Sequence, residues 1–271
     1  MVRSLWTAAT GMRAQQTNVD TIANNLANVN TTGYKTEVNE FKSLLYQTIQ
    51  TKTTSRNGDV KPIGAQVGLG TRNASISSIF TDGPLLASES VSAFALSGRG
   101  FFSVKGEDGN TYYTRSGNFN WAINSQGGIS LTNSDGLPVL DTNGRPIALG
   151  PEYVSSRVIV TGDGTICYPD ENNNPKPLGI NFGIFQFNNP AGLEKKDSGL
   201  FAQSAASGVA INEATSTTVE KTQVTQGYLE GSNVQVVDEM VNLITAQRAY
   251  ELNSKAITAS DDMLQQANNL R

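Results

Sequence analysis

The residues on which most enzyme chemistry depends are scarce in this chain. Its 271 residues include one cysteine, Cys167, and no histidine. Without histidine there is no imidazole for a catalytic triad or for a zinc site. A lone cysteine forms neither an internal disulfide nor a thiolate metal cluster. Cys167 lies in an apolar run that predicts a strand, so we interpret it as a small packed residue and not as a reactive thiol.

Two short stretches imitate ligand-binding loops without meeting their requirements. Gly98-Arg99-Gly100 resembles the start of a phosphate-binding loop, but position 103 holds serine where a third glycine is needed. The run from Asp141 to Glu152 has acidic ends at the spacing of a calcium loop, but its glycine stands at the fourth position and the intermediate ligands are missing. We interpret both stretches as turns. Since the acidic residues form no compelling carboxylate pair, we predict that the protein is not an enzyme, with no catalytic residue, no metal site and no cofactor.

Composition restricts the classes of partner. The net charge of −4 provides no basic surface, so we expect no binding to nucleic acid. No run approaches the roughly 20 apolar residues that a membrane-spanning helix needs, so we expect no membrane insertion. The first residues, MVRSLWTAATGMR, lack the apolar core of a cleavable signal peptide. If the protein leaves the cytoplasm, another device is expected to export it.

The elements that would position any functional residue begin with a long N-terminal helix. Its apolar residues form a seam with a repeat of seven, at Leu5, Met12, Val19 and Leu26, with Ala8, Ile22 and Val29 interleaved. This heptad pattern predicts a coiled-coil-type helix over roughly residues 4 to 29, ended by Thr31-Thr32-Gly33. Gly11 costs such a helix about 1 kcal/mol relative to alanine, so packing must compensate for it.

A second heptad seam marks the C-terminal region, at Val236, Leu243, Tyr250, Ile257 and Leu264, with Met240, Ala246 and Ala267 between them. Ser232 or Asn233 is predicted to cap this helix, and Asp238 and Glu239 fall in its first turns, where the helix dipole favours acidic side chains. A helix with so narrow a seam cannot bury it alone. The two seams fit either a helical hairpin packed within one subunit or helices packed inside a polymer.

The polar face of the first helix favours the polymer. Residues 4 to 32 contain two charged residues, Arg13 and Asp20, against five Asn, two Gln and six Thr. A helix that faces water usually carries Lys and Glu, whereas amides both donate and accept hydrogen bonds and so suit protein neighbours. We expect three amides to bond to adjacent helices without burying charge, namely those of Asn24, Asn25 and Asn28.

Between the helices the sequence has the pattern of a β domain. From about residue 65 to 230, Gly, Asn and Asp separate short β-rich runs, and RVIVTGDGTICY predicts two strands joined by a tight turn. We therefore predict an α+β fold. Residues 1–36 and 232–271 are assigned to a coiled-coil-like helical domain, 37–64 to a connector after a short helix, and 65–231 to a central antiparallel β domain.

Both ends of the chain resemble one family. TAATGMRAQQTNVDTIANNLANVNTTGYK and QGYLEGSNVQVVDEMVNLITAQRAYELNSKAI are similar to the ends of the bacterial flagellar rod and hook axial proteins. FKSLLYQTI, QVGLGTR, SGRGFFSV and YTRSGNF follow in the order found in the distal-rod branch of that family. Residues 121 to 200 are less distinctive. The residues that carry the N-terminal family motif include Asn24, Asn25, Asn28, Gly33 and Tyr34.

The resemblance implies a structural subunit that the flagellar type III apparatus exports without a cleaved signal. Its terminal helices would pair as an inner coiled coil, with the β domain outside. Copies would stack helically into a hollow, rigid drive shaft that crosses the periplasm and carries torque from motor to hook. The implied partners are further copies of itself, proximal rod proteins, the hook protein and the rod-surrounding rings.

Alternatives within and outside the family remain open at this point. A proximal rod or hook subunit would have similar ends, and a secreted β-domain adhesin, a carbohydrate-binding module or a cell-wall-cleaving enzyme could share the middle region. A distal rod subunit is distinguished from a hook subunit by an expectation about residues 46–64. We expect this segment to bridge to a neighbouring subunit and to stiffen the shaft. Its composition alone fits a linker equally well.

Overall fold

The computed structural model of the chain describes residues 2–50, 65–124, 127–170, 174–217 and 219–269. Within these ranges the chain forms two long α-helices near its ends and twenty short strands between them. The central strands pair mainly in antiparallel fashion. The predicted α+β class, with terminal helices and an antiparallel β region, is confirmed.

The chain divides into two compact units, and the first consists of residues 1–27, 37–77 and 235–271. This unit is called unit 1 below. Its described residues form two helices and four strands: α1 (Val2–Ala27), α2 (Val236–Asn269), β1 (Glu37–Ser43), β2 (Tyr46–Gln50), β3 (Ala65–Gly68) and β4 (Thr71–Ser78, of which Ser78 belongs to the second unit). Strand β1 pairs with β4, and β2 pairs with β3. The observed α1 begins and ends two residues before the predicted span of 4 to 29.

The short helix predicted ahead of the connector is wrong. Residues 37–50 form β1 and β2, and in the pairing of β2 with β3 Tyr46 lies opposite Gly68 and Thr48 opposite Gln66. Tyr, Thr and Ile favour a pleated strand, and β3 supplies backbone hydrogen bonds that an isolated short helix would lack. Residues 51–64, the remainder of the predicted connector, lie outside the described residues.

The predicted N-cap of α2 is also wrong. The helix begins at Val236, and Ser232 and Asn233 precede its first turn. The side-chain oxygen of Asn233 accepts a hydrogen bond from the backbone N–H of Thr36 at 2.7 Å, and its NH₂ group donates to the backbone oxygen of Ile79 at 2.9 Å. The amide is therefore committed to neighbouring loops, and it makes no bond to the start of the helix.

The second unit, called unit 2 below, consists of residues 28–36 and 78–234. Its strands are β5 (Leu85–Ala87), β6 (Phe94–Ser97), β7 (Phe101–Lys105), β8 (Thr111–Thr114), β9 (Asn120–Ile123), β10 (Ile129–Thr132), β11 (Ala148–Leu149), β12 (Ile159–Val160), β13 (Thr165–Pro169), β14 (Pro175–Asn181), β15 (Ile184–Gln186), β16 (Glu194–Lys195), β17 (Leu200–Ala202), β18 (Ile211–Asn212), β19 (Gln223–Gln226) and β20 (Tyr228–Glu230). The largest sheet has six strands in the order β16-β17-β8-β7-β15-β18.

Aromatic and aliphatic side chains from these strands form the core of unit 2. The larger cluster includes Phe94, Phe102, Phe119 and Phe182, and the smaller one is built around Phe101, Tyr113 and Phe201. Burial of such side chains contributes about 1.5–3 kcal/mol each. Cys167 is buried in β13, which confirms that it is a packed residue.

The two loop-like stretches are turns, as predicted. Gly98 has φ of +127° between β6 and β7, and the backbone N–H of Gly144 donates to the backbone oxygen of Asp141 at 2.9 Å. Among the described residues, no group of acidic or cysteine side chains is placed to hold a metal ion. Neither described helix combines the length and apolar character needed to cross a membrane.

Candidate assembly interface

The helices α1 and α2 pack against each other in opposite directions. The hydroxyl oxygens of Ser4 and Ser260 lie 3.3 Å apart, and a Cβ atom added to Gly11 would lie 3.0 Å from the amide nitrogen of Asn253. Residue numbers thus rise along one helix as they fall along the other. Glycine at position 11 allows this close approach, because any larger side chain there would press on Asn253. The packing compensates for the cost of a glycine inside a helix.

The buried row of α2 is the interleaved row of the predicted seam, to which Ala246 and Ala267 belong. The buried residues of this 34-residue helix are Glu239, Ala246 and Ser260. Together with Asn253 they form a row with a repeat of seven, three residues after the row of Val236 and Leu243, and its members are small or polar. Close helix packing through small residues explains this choice. A search for apolar residues found Ala246 in this row but overlooked its polar members.

The predicted seam residues are enclosed to different degrees. On α1, Ile22 is buried, and Leu5, Met12, Val19 and Leu26 are half-buried, as is Val29 just after the helix. On α2, Leu243, Ile257 and Leu264 are half-buried. Of the interleaved residues of α2, Ala246 is buried and Ala267 is exposed. The remaining predicted members, Val236, Tyr250 and Met240, are exposed by 40%, 43% and 51%. The structure therefore brings part of the predicted seam together and leaves part of it on the surface.

A second apolar face of α2 has no partner in the described part of the chain. Val237, Val241 and Ile244 follow one another at helical spacing and are exposed by 73%, 54% and 56%. Large apolar side chains are exposed elsewhere in unit 1 too, notably Trp6 on α1 at 68% and Leu45 before β2 at 83%. Extended apolar exposure of this kind marks an interaction surface.

The asparagines of the N-terminal motif have distinct roles. Asn25 is buried, and its amide exchanges two hydrogen bonds of 2.9 Å with the backbone N–H and oxygen of Glu37. Asn25 therefore pairs with the start of β1 in its own chain, contrary to the expectation that it joins a neighbouring helix. The side-chain oxygen of Asn28 accepts from the Thr31 hydroxyl at 3.1 Å, in the turn after α1. Asn24 is exposed on the surface of the helix.

The end of this motif is built into unit 2. Gly33 has φ of +72°, and its backbone N–H donates to the backbone oxygen of Glu230 at 2.8 Å. A Cβ atom at Gly33 would lie 2.6 Å from the backbone nitrogen of Ser116, so glycine is required for packing as well as for its left-handed conformation. The helix had already ended at Ala27, so Gly33 serves this contact and not the helix terminus. Tyr34 is half-buried beside it.

Sequence analysis missed a buried group of charges that fixes this segment. The Lys35 ammonium donates to Glu230 Oε1 at 2.6 Å, and Arg115 Nε donates to Glu230 Oε2 at 3.0 Å, with all three side chains at most 2% exposed. A second Arg115 nitrogen pairs with the half-exposed Asp82 at 2.7 Å. Burial lowers the pKa of Lys35, and the nearby Arg115 lowers it further, while Glu230 opposes both. The signal was a lysine at the end of a motif whose other charged residues are Arg13 and Asp20.

The sequence matches known families in three places. A family model described as flagella basal body rod protein matches residues 5–35, and one described as flagellar basal body rod FlgEFG protein C-terminal matches residues 225–270. The model of the flagellar hook protein FlgE/F/G D1 domain matches residues 95–168.

Curated relatives match the chain from end to end. The flagellar basal-body rod protein FlgG of Borreliella burgdorferi is 42% identical over 273 residues, covering 100% of this chain and 99% of the relative. The proteins of the same name from Buchnera aphidicola and Agrobacterium fabrum are each 39% identical and cover 100% and 97% of both sequences. The chain belongs to the flagellar basal-body rod protein family. The resemblance found at its two ends is thereby confirmed, and the family is one of structural proteins.

Proposed function

We propose that this chain is the subunit of the distal part of the flagellar rod. Copies of it assemble helically, chiefly through unit 1, into a hollow and rigid shaft that carries torque from the motor to the hook. The full-length similarity to FlgG proteins supports the place in the rod. The relevant partners are further copies, proximal rod proteins, the hook protein, the surrounding rings and the type III export apparatus.

The observation that carries the proposal is the exposure of α2. A helix of 34 residues that buries three of them gains little stability from its own chain. Its second apolar face, formed by Val237, Val241 and Ile244, becomes stabilising when another subunit covers it, at about 25 cal/mol for each Å² removed from water. Coiled-coil-like packing between the helices of successive copies satisfies this requirement at every repeat of a polymer.

Substitution of the exposed face tests the proposal. Ile244→Asp places a charge where a neighbouring subunit should pack, and we expect cells that carry this variant as their only copy to lack rods and to be non-motile. Asn242→Asp adds the same charge at an exposed polar position of the same helix and should leave motility unchanged. Electron microscopy of isolated basal bodies and swimming in soft agar are the measurements. Full motility with Ile244→Asp would exclude this face from assembly.

A deletion tests the assignment to the distal rod. Removal of residues 51–61 should leave unit 2 folded and yield rods that are curved or unstable, because the proposed bridge between subunits is lost. Straight rods of normal length would refute the bridging role, although the subunit would still belong to the rod.

A further inference from the structure

Unit 1 contains a cationic cavity. It has a volume of about 400 Å³ and lies between α1 and the start of β4. Its wall includes Arg13 and Arg72, both exposed, together with Thr10, Thr17, Thr71 and Asn73. Neither arginine forms an ion pair with any other described residue, whereas Arg115 in unit 2 and Arg248 on α2 both do.

The hydrogen-bonding groups of the cavity define what it would accept. The Thr10 hydroxyl donates to the backbone oxygen of Thr7 at 2.8 Å and accepts from the backbone N–H of Thr71 at 3.4 Å, so it is engaged within the chain. The side-chain oxygen of Asn73 is buried and accepts no hydrogen bond. The cavity presents two guanidinium groups that lack an anionic partner among the described residues. A carboxylate with an amide group close to it suits a wall that also carries hydroxyl and amide groups.

One turn of α2 offers this combination. Asp261 and Asp262 are adjacent and exposed, and neither has a hydrogen-bond or ion-pair partner among the described residues. Gln265 and Gln266 follow four residues after each of them, so each carboxylate has an amide beside it on the same helix face. The other acidic residues of α2 are less suited to this contact, since Glu251 pairs with Arg248, Glu239 is buried and Asp238 lies in the first turn at the positive end of the helix dipole.

The α2 turn and the arginine cavity cannot meet within one chain. Ser260 lies beside Ser4, which is nine residues from Arg13 and therefore about 14 Å away along α1. We propose that the α2 turn from Asp261 to Gln266 of one copy docks into the Arg13–Arg72 cavity of a neighbouring copy. This inference rests on the proposed function, because it names one contact of the assembly that the rod requires. The contact is heterologous, since the two surfaces that meet are different, and such contacts generate open helical polymers when the rotation between copies does not close a ring.

Charge reversal on each side tests the contact. One variant carries Arg13→Glu and Arg72→Glu, and the other carries Asp261→Lys and Asp262→Lys. Either variant alone as the only copy should abolish motility and rods, because like charges then face each other at every repeat. The matched control reverses two exposed cations of unit 1 outside the cavity, Lys42→Glu and Lys255→Glu, and should swim normally.

Mixing the two variants decides whether the contact joins different copies. When both are produced in one cell, the acidic cavity of one fits the lysine turn of the other, and the arginine cavity of the second fits the aspartate turn of the first. We expect motility to return, and we expect purified variants that do not sediment alone to form sedimentable polymer when mixed. Circular dichroism checks that each variant is folded.

Three results would overturn the inference. They are single variants that assemble like the unmodified chain, a control that fails as they do, and a mixture of folded variants that stays unassembled. Failure of the proposed function is a separate result. It would be seen if cells that lack the chain altogether swam like their parent, whatever the charge variants did.

Discussion

At the scale of single residues, the strongest constraint is the group of buried charges around Glu230. Lys35 and Arg115 supply two positive charges and Glu230 one negative charge, and the half-exposed Asp82 completes the balance. A buried carboxylate is costly unless all its partners are present. Glu230 accepts from Lys35, from Arg115 and from the backbone N–H of Gly83, so its cost is offset. The group ties the end of the N-terminal motif to the strand pair β5–β20.

Replacement of Glu230 by glutamine tests this account. Glu230→Gln leaves Lys35 and Arg115 as buried cations with one half-exposed acid, and we expect the free energy of unfolding of unit 2 to fall by about 3–5 kcal/mol. Urea unfolding followed by tryptophan fluorescence measures the change. Glu107→Gln, at an exposed turn position, should shift stability by less than about 0.5 kcal/mol. Equal stability of the two variants would mean that the charges are not coupled in solution.

At the scale of elements, the helix pair depends on close approach and not on a large apolar seam. Gly11 and Ser4 of α1 meet Asn253 and Ser260 of α2. Gly11→Leu overfills this contact and should lower the thermal stability of helical structure by about 1–3 kcal/mol. Adding Asn253→Ala to the same chain removes the side chain that the new leucine would press on, and it should restore most of the lost stability. Ala9→Leu, a similar enlargement at an exposed position of α1, should have little effect. Helical circular dichroism during heating distinguishes these outcomes.

The same helices show how far sequence patterns reach. Heptad repeats located both helices to within a few residues, because periodicity over many turns is a strong signal. On α2 they included Ala246 of the row that packs, but they passed over Asn253 and Ser260, because the role of small and polar residues appears only when the facing Gly11 and Ser4 are known. Strand β1 was mistaken for a short helix and β2 for part of the connector, because their identity depends on pairing with β4 and β3. The charged group around Glu230 consists of residues 35, 82, 115 and 230, which lie far apart in the sequence. Local sequence patterns do not reveal that such residues meet.

At the scale of the whole molecule, the two units should differ in stability before assembly. Unit 2 has aromatic clusters and buried ion pairs, whereas unit 1 contains a long helix that buries three residues and leaves a second apolar face exposed. Local opening is most frequent where few apolar contacts are buried. In dilute monomer we therefore expect α1 and α2 to open readily, and a protease to remove them while it leaves unit 2 intact.

Hydrogen exchange can locate the boundary within the N-terminal motif itself. The backbone N–H of Gly33 is bonded to Glu230 at 2.8 Å and that of Thr36 to Asn233 at 2.7 Å, both inside unit 2. In dilute monomer the amides of α1 should exchange quickly and those of Gly33 and Thr36 slowly, so protection should rise sharply after Ala27. In assembled rods both groups should be protected, because neighbouring copies then cover the helices. Slow exchange throughout α1 in the monomer would contradict this prediction. It would show that the helices are stable before assembly and that no boundary in protection lies between α1 and the amides of Gly33 and Thr36.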